Sequence, residues 1–264
     1  MYEFDYHTPQ TLADARSLLS GRDDPKLLAG GQTLLPTMKQ RLAAPSDLID
    51  LRKIADLAGI ARDGDKLRIG AMTRHAAVAG SEVVKQAIPA LARLAGGIGD
   101  PLVRHRGTLG GSIANNDPSA DYPAACLGLG ATIVTDRREI AADDFFLGMF
   151  ETALEEDEII TAVAFPVPQK AGYAKFPNPA SRYAMVGVFV AQTGGAVRVA
   201  VTGAAPGVFR VGEMEAALAS DFSAQAIADI AVPSEGLLED LHGSAAYRAN
   251  LVTVMAKRAV QSVL

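Results

Sequence analysis

Two glycine pairs are the residues of this chain best suited to ligand chemistry: Gly30 and Gly31 in AGGQTLLP from Ala29, and Gly110 and Gly111 in TLGGSIANNDPSADYPA from Thr108. A glycine has no Cβ, so neighbouring peptide N–H groups can turn to one side and offer a concave row of donors to an anion such as a pyrophosphate. Two such loops from separate parts of the chain suit a dinucleotide gripped from both sides. The second carries more than glycine: Thr108, Ser112, Asn115, Asn116, Asp117, Ser119 and Asp121 crowd polar side chains in front of an apolar stretch from Tyr122.

Placing those loops requires strands and helices on either side of them. An amphipathic segment, TLADARSLLS from Thr11, precedes KLLAG from Lys26, a short strand running into the first glycine pair. After it Leu34, Leu35, Met38 and Leu42 recur at helical spacing, and DLIDL from Asp47 reads as a second strand. A second unit starts near Lys66, with LRIGA as a strand, helical segments over 73–79 and 81–95, and a Gly-rich passage leading to Thr108. ATIVTD from Ala131 and IITAVAFPV from Ile159 are rich in β-branched residues and fit strands. Residues 166–179, rich in proline and turn-formers, suggest a boundary. Beyond it lie an apolar run from Met185, a strand from Ala196, a helix near EMEAALAS and a long closing helix from Ser244.

Several function classes lose their footing on composition. The 264 residues carry a net charge of −5, which gives no support to nucleic-acid binding. No GxGxxG is present: GGIG at Gly96 and GTLGG at Gly107 lack the spacing of a Rossmann turn, and the Walker pattern is missing too. One cysteine, Cys126, excludes a disulfide framework and any all-cysteine iron–sulfur or zinc site made by this chain alone, and it reads as a small buried residue. His7, His75, His105 and His242 show no H-x-x-x-H spacing, so no metal site is expected, and no catalytic His/Tyr/Arg cluster stands out. Without a signal peptide or an apolar membrane-spanning window, the expected location is the cytoplasm, with attachment to the inner face of a membrane through a partner left open.

AGGQTLLPTMKQRLAAPSDLIDL and DPLVRHRGTLGGSIANNDPSADYPA closely resemble the FAD-binding medium subunits of molybdenum hydroxylases, the group of bacterial carbon monoxide dehydrogenase and the xanthine dehydrogenase relatives. ASRYAMVGVFVA from Ala180 and DLHGSAAYRANL from Asp240 resemble the C-terminal domain of that family, so the likeness spans nearly the whole chain. It implies an α+β architecture: a two-subdomain FAD-binding fold of the vanillyl-alcohol-oxidase (PCMH) type over 1–168, divided at about 58/59, and a small α/β C-terminal domain over 169–264. FAD would be held without a covalent bond, its pyrophosphate on backbone N–H groups of both glycine loops.

Carried onto this sequence, the resemblance assigns Leu28, Ala29, Gly30, Gly31, Gln32, Thr33, Leu34 and Leu35 to the first cofactor loop. The Thr33 hydroxyl would donate to phosphate and start the next helical turn. In the second loop Thr108, Gly110, Gly111 and Ser112 would meet phosphate and flavin, and Asp121 would accept from the adenosine ribose. Ile98 would pack on the cofactor, Ile160 would lie on the strand at the flavin's polar edge, and Lys175 and Tyr183 would approach the ring. A flavin tether through His105 is not expected.

The function so implied is an electron relay: the flavoprotein of a heterotrimer, with a molybdenum–pterin cofactor in a large subunit and two [2Fe–2S] clusters in a small one, assembled as a dimer of heterotrimers. FAD would collect electrons from the clusters and pass them to an external acceptor. Two other readings compete: a self-contained FAD-dependent oxidase or dehydrogenase of the same fold, and a nonenzymatic nucleotide-binding assembly module.

Overall fold

The structure, a computed structural model, describes residues 1–263. The strand Asp47–Asp50 is buried along its whole length and takes the centre of a parallel three-stranded sheet, between Asp5–His7 and Pro25–Leu28. Parallel neighbours need crossovers, here the helices Leu12–Ser20 and Leu34–Lys39. Thr11 caps the first, its Oγ1 accepting from Asp14 N at 3.1 Å. The second stops short of Leu42, which is 75% exposed: Arg41 adopts φ 61° and turns the chain away.

Alternation of charged and apolar residues in Lys66–Gly70 buries Leu67 and Ile69 and leaves Lys66 and Arg68 outside. That strand belongs to a five-stranded antiparallel sheet in the order Ile60–Asp63, Lys66–Gly70, Ile160–Pro166, Thr132–Thr135, Glu139–Ala141. Helices His75–Gly80, Glu82–Ala87, Pro89–Gly96 and Tyr122–Leu129 contribute to its core. The helix expected over 81–95 is thus two helices. Pro89 has no N–H and disfavours helical backbone before it, and Ile88 takes φ −142°, ψ 75°.

Residues 166–179 are mostly strand, not turn: Lys170–Pro177 pairs with Ala184–Thr193, followed by Ala196–Thr202 and Phe209–Arg210, in one antiparallel sheet. The apolar run from Met185 has its cause here, because both faces of Ala184–Thr193 are covered. Val186, Val188 and Val190 pack with Met255 and Ala256 of the closing helix Ala245–Gln261, while Phe189 and Ala191 join the core of the five-stranded sheet. Gly128 gives Phe189 its room: a Cβ there would lie 2.9 Å from the ring. Among the described residues no helix is long and apolar enough to cross a membrane.

Candidate functional site

The first glycine pair sits where the edge strand Pro25–Leu28 ends and the helix Leu34–Lys39 begins. Gly31 has φ +69°, a conformation that costs a residue with a side chain 1–2 kcal/mol or so. Gly30 answers a different demand. A Cβ there would lie 2.4 Å from Arg106 O and 2.6 Å from Gly107 Cα, so the backbone of the first loop rests directly on the segment leading into the second. Gly107 in turn leaves space for His75, whose Nε2 would be 2.6 Å from an added Cβ.

The second pair is not in a loop. Gly110 and Gly111 lie in the first turn of the helix Leu109–Asn115, capped by Thr108, whose Oγ1 accepts from Gly111 N at 3.2 Å. Gly110 N donates to Ala71 O at 2.8 Å, Leu109 N to Thr73 O at 3.0 Å and Ser112 N to Thr108 O at 3.1 Å. These amides are engaged, so the two segments are not the matching donor cradles expected from their sequences. Gly110 is required by close packing: a Cβ would stand 2.5 Å from that of Ala71.

In the first segment the N–H groups of Gly30, Gly31, Gln32, Thr33 and Leu34 find no acceptor among the described residues. All five residues line a cleft of about 480 Å³ that runs between the parallel sheet, the five-stranded sheet and the loop 181–183. A row of free backbone donors at a helix start suits an anion. Thr33 makes no cap bond, its backbone being already helical at φ −110°, ψ −56°, which corrects the expectation that it starts the helix through its hydroxyl.

Leu28, Ala29, Gly30, Gly31, Gln32, Thr33, Leu34, Ile98, Thr108, Gly110, Gly111, Ser112, Asp121 and Ile160 line this one cleft. Leu35 and Lys175 do not. Leu35 turns behind the loop to pack with Leu28, Met38 and Leu48. Lys175 Nζ reaches Asp121 Oδ1 at 2.8 Å and donates to Gly97 O at 2.8 Å. Tyr183 lies at the rim, 47% exposed. Asn116, one of the polar residues after the glycines, faces away: it ends the helix at φ 42°, and its Nδ2 donates to Gly148 O and Glu151 O, both at 2.8 Å. Arg104 braces the turn that carries Ile98, donating to Ile98 O at 2.9 Å and Gly99 O at 3.0 Å. His105 and Arg106 are exposed, and Cys126 is fully buried, its thiol pushed up by burial.

Sequence reasoning passed over His75, Glu158 and Arg182, which also line the cleft. His75 is buried beside Tyr122, ring centroids 5.4 Å apart, and neither His75 Nδ1 nor the Tyr122 hydroxyl has a partner among the described residues. Burial, helped by the nearby Arg104 charge, lowers the His75 pKa to about 4, so the ring is neutral. Glu158 is held at about 2, chiefly by its hydrogen bond from Arg138, with Thr135 and Glu155 N also donating to it. A lone His at the start of a short helix, or a lone Glu in an irregular stretch, carries no spacing that would mark it.

Residues 2–168 match the FAD-binding domain found in molybdopterin dehydrogenases. Along nearly its full length the chain is similar to the nicotine 6-hydroxylase medium subunit of Paenarthrobacter nicotinovorans, with 38% identity over 97% of this chain and 95% of that one. Among solved structures, carbon monoxide dehydrogenase from Hydrogenophaga pseudoflava, lacking the Mo-pyranopterin moiety of its molybdenum cofactor, contains a chain that superposes with a TM-score of 0.86 at 37% identity, covering 98% of this chain and 96% of its own. Quinoline 2-oxidoreductase from Pseudomonas putida 86 gives 0.88 at 30% identity, with 98% and 96% covered.

Proposed function

The chain belongs to the FAD-binding medium subunits of molybdenum-hydroxylase-type dehydrogenases, with the mixed helix and sheet fold of the PCMH type, and from that premise we propose that it relays electrons inside a heterotrimer. It is an oxidoreductase subunit and its cofactor is FAD. Bound FAD supplies two-electron redox chemistry that can also proceed in single steps; the protein supplies position and electrostatics.

The observation that carries the reading is the row of five N–H groups over residues 30–34 that find no acceptor among the described residues, on residues that line the same cleft as Asp121. Those donors fit a pyrophosphate. The Thr108 hydroxyl, which accepts from Gly111 N, keeps its own proton for a ligand, and the Ser112 hydroxyl is unengaged among the described residues. We assign cofactor contact to Leu28, Ala29, Gly30, Gly31, Gln32, Thr33, Leu34, Ile98, Thr108, Gly110, Gly111, Ser112, Asp121 and Ile160. Leu35 supports the loop from behind. The sheet change between Pro166 and Lys170 supports a division into an FAD-binding domain over 1–168 and a C-terminal domain over 169–264.

The clusters that feed the flavin belong to a small [2Fe–2S] subunit and the substrate to a large molybdenum–pterin subunit. A lone buried cysteine supports a separate chain for the clusters. We place the assembly, a dimer of heterotrimers, in the cytoplasm. The test is anaerobic reduction of the purified complex. The yellow flavin band should bleach after the iron–sulfur signal when the complex's substrate is added, and should stay oxidised in the isolated FAD-loaded chain. Turnover of an organic substrate by the isolated chain would overturn the relay in favour of a self-contained oxidase.

A further inference from the structure

Two side chains from the C-terminal sheet converge on one oxygen of Asp121. The Tyr173 hydroxyl donates to Oδ1 over 2.5 Å, and Lys175 Nζ lies 2.8 Å from the same atom. Residues two apart in a strand share a face, so the register of Lys170–Pro177 delivers both together. Gly187 on the next strand keeps the place clear, since a Cβ there would lie 2.6 Å from the Tyr173 hydroxyl. Asp121 is 4% exposed and forms part of the cleft wall, and no other described residue donates to its Oδ2.

A carboxylate with one oxygen held by two donors has little freedom to rotate, and the direction of the other oxygen is then set. We propose that Tyr173 and Lys175 are positioning residues for FAD: by fixing Oδ1 they aim Oδ2 of Asp121 at a hydrogen-bond donor of the bound cofactor. The inference rests on the FAD reading of the cleft. It gives two strand residues of the C-terminal sheet a part in cofactor binding through Asp121. Lys175 adds a second restraint through Gly97 O, next to the cleft residue Ile98. Burial pushes the Asp121 carboxyl above the usual carboxylate range, and the Lys175 charge and the Tyr173 hydroxyl act against that push, favouring the acceptor form.

The test is a double-mutant cycle on the full-length chain, read as FAD affinity by flavin fluorescence. Y173F removes one oxygen and keeps the ring against Phe189, centroids 6.0 Å apart. Loss of a hydrogen bond to a charged group should weaken FAD binding about 10-fold with Asp121 present. In a D121A background Y173F should change nothing further, and K175M should follow the same pattern. D121S replaces D121A if the latter shows no cooperative melting as apoprotein. Wild-type affinity in Y173F, or losses that simply add across the cycle, would overturn the positioning role while leaving the FAD assignment intact. A wild-type chain that takes up no FAD would overturn both.

Discussion

Gly30 is the residue at which the cleft has least tolerance. The atoms an alanine methyl would strike are backbone atoms of Arg106 and Gly107, which cannot swing aside as a side chain would. G30A is therefore expected to push the two segments apart, weakening FAD uptake at least ~10-fold with a lowered melting temperature, by a strain cost of 1–3 kcal/mol or so. Unchanged flavin stoichiometry and melting in G30A would remove the close approach from the account. His75 makes a pH prediction. Its pKa is lowered from 6.5 to about 4, so between these values the unfolded chain holds the proton and the native chain does not. Stability is complete above pH 6.5 and falls as pH drops toward 4, by about 2 kcal/mol at pH 5. Urea titrations at pH 5 and pH 8 should show that difference in the wild type and lose most of it in H75N. At this scale the sequence was legible for the first glycine pair, where a missing Cβ meets a positive φ at Gly31 and a close backbone approach at Gly30. It was silent on His75 and Tyr173, whose roles come from neighbours 32 and 52 positions away in Gly107 and Asp121.

At the scale of elements, the helix Leu109–Asn115 is seven residues long and would be marginal alone. Its start depends on the Thr108 cap and on two bonds sent sideways to Ala71 O and Thr73 O. T108A should cost about 1 kcal/mol in chemical denaturation, and T108S should restore most of it. If T108A loses flavin with no change in stability, the hydroxyl serves the cofactor and not the helix. This helix also shows why the sequence reading went astray: two adjacent glycines argue against helix by propensity, and tertiary contacts with Ala71 overrode that preference. Strands were easier to read, since β-branched runs such as Ile160–Pro166 and alternation such as Lys66–Gly70 survive into the fold. The strand Lys170–Pro177 was obscured by its flanking prolines, although Lys170–Pro177 itself is an edge strand, where proline is tolerated.

On the scale of the whole molecule, the three main sheets meet around one cleft, and no single segment contains the site. Their order along the chain was readable from composition and pattern. The convergence was not, because it depends on long-range packing such as Phe189 against Gly128 and Tyr173 against Asp121. The five amides of residues 30–34, which find no acceptor among the described residues, have a consequence for that assembly. Amide hydrogens with no internal acceptor trade freely with solvent deuterium, whereas those locked in a capped helix trade slowly. In the empty chain Gly30, Gly31, Gln32, Thr33 and Leu34 should therefore exchange fast, and on loading with FAD they should slow together, while Gly110 and Gly111 stay slow throughout. Equal exchange at residues 30–34 in both states would mean that the phosphates lie elsewhere. The segment thus works as a built-in gauge of occupancy: its isotope label reports, residue by residue, whether a cofactor is seated.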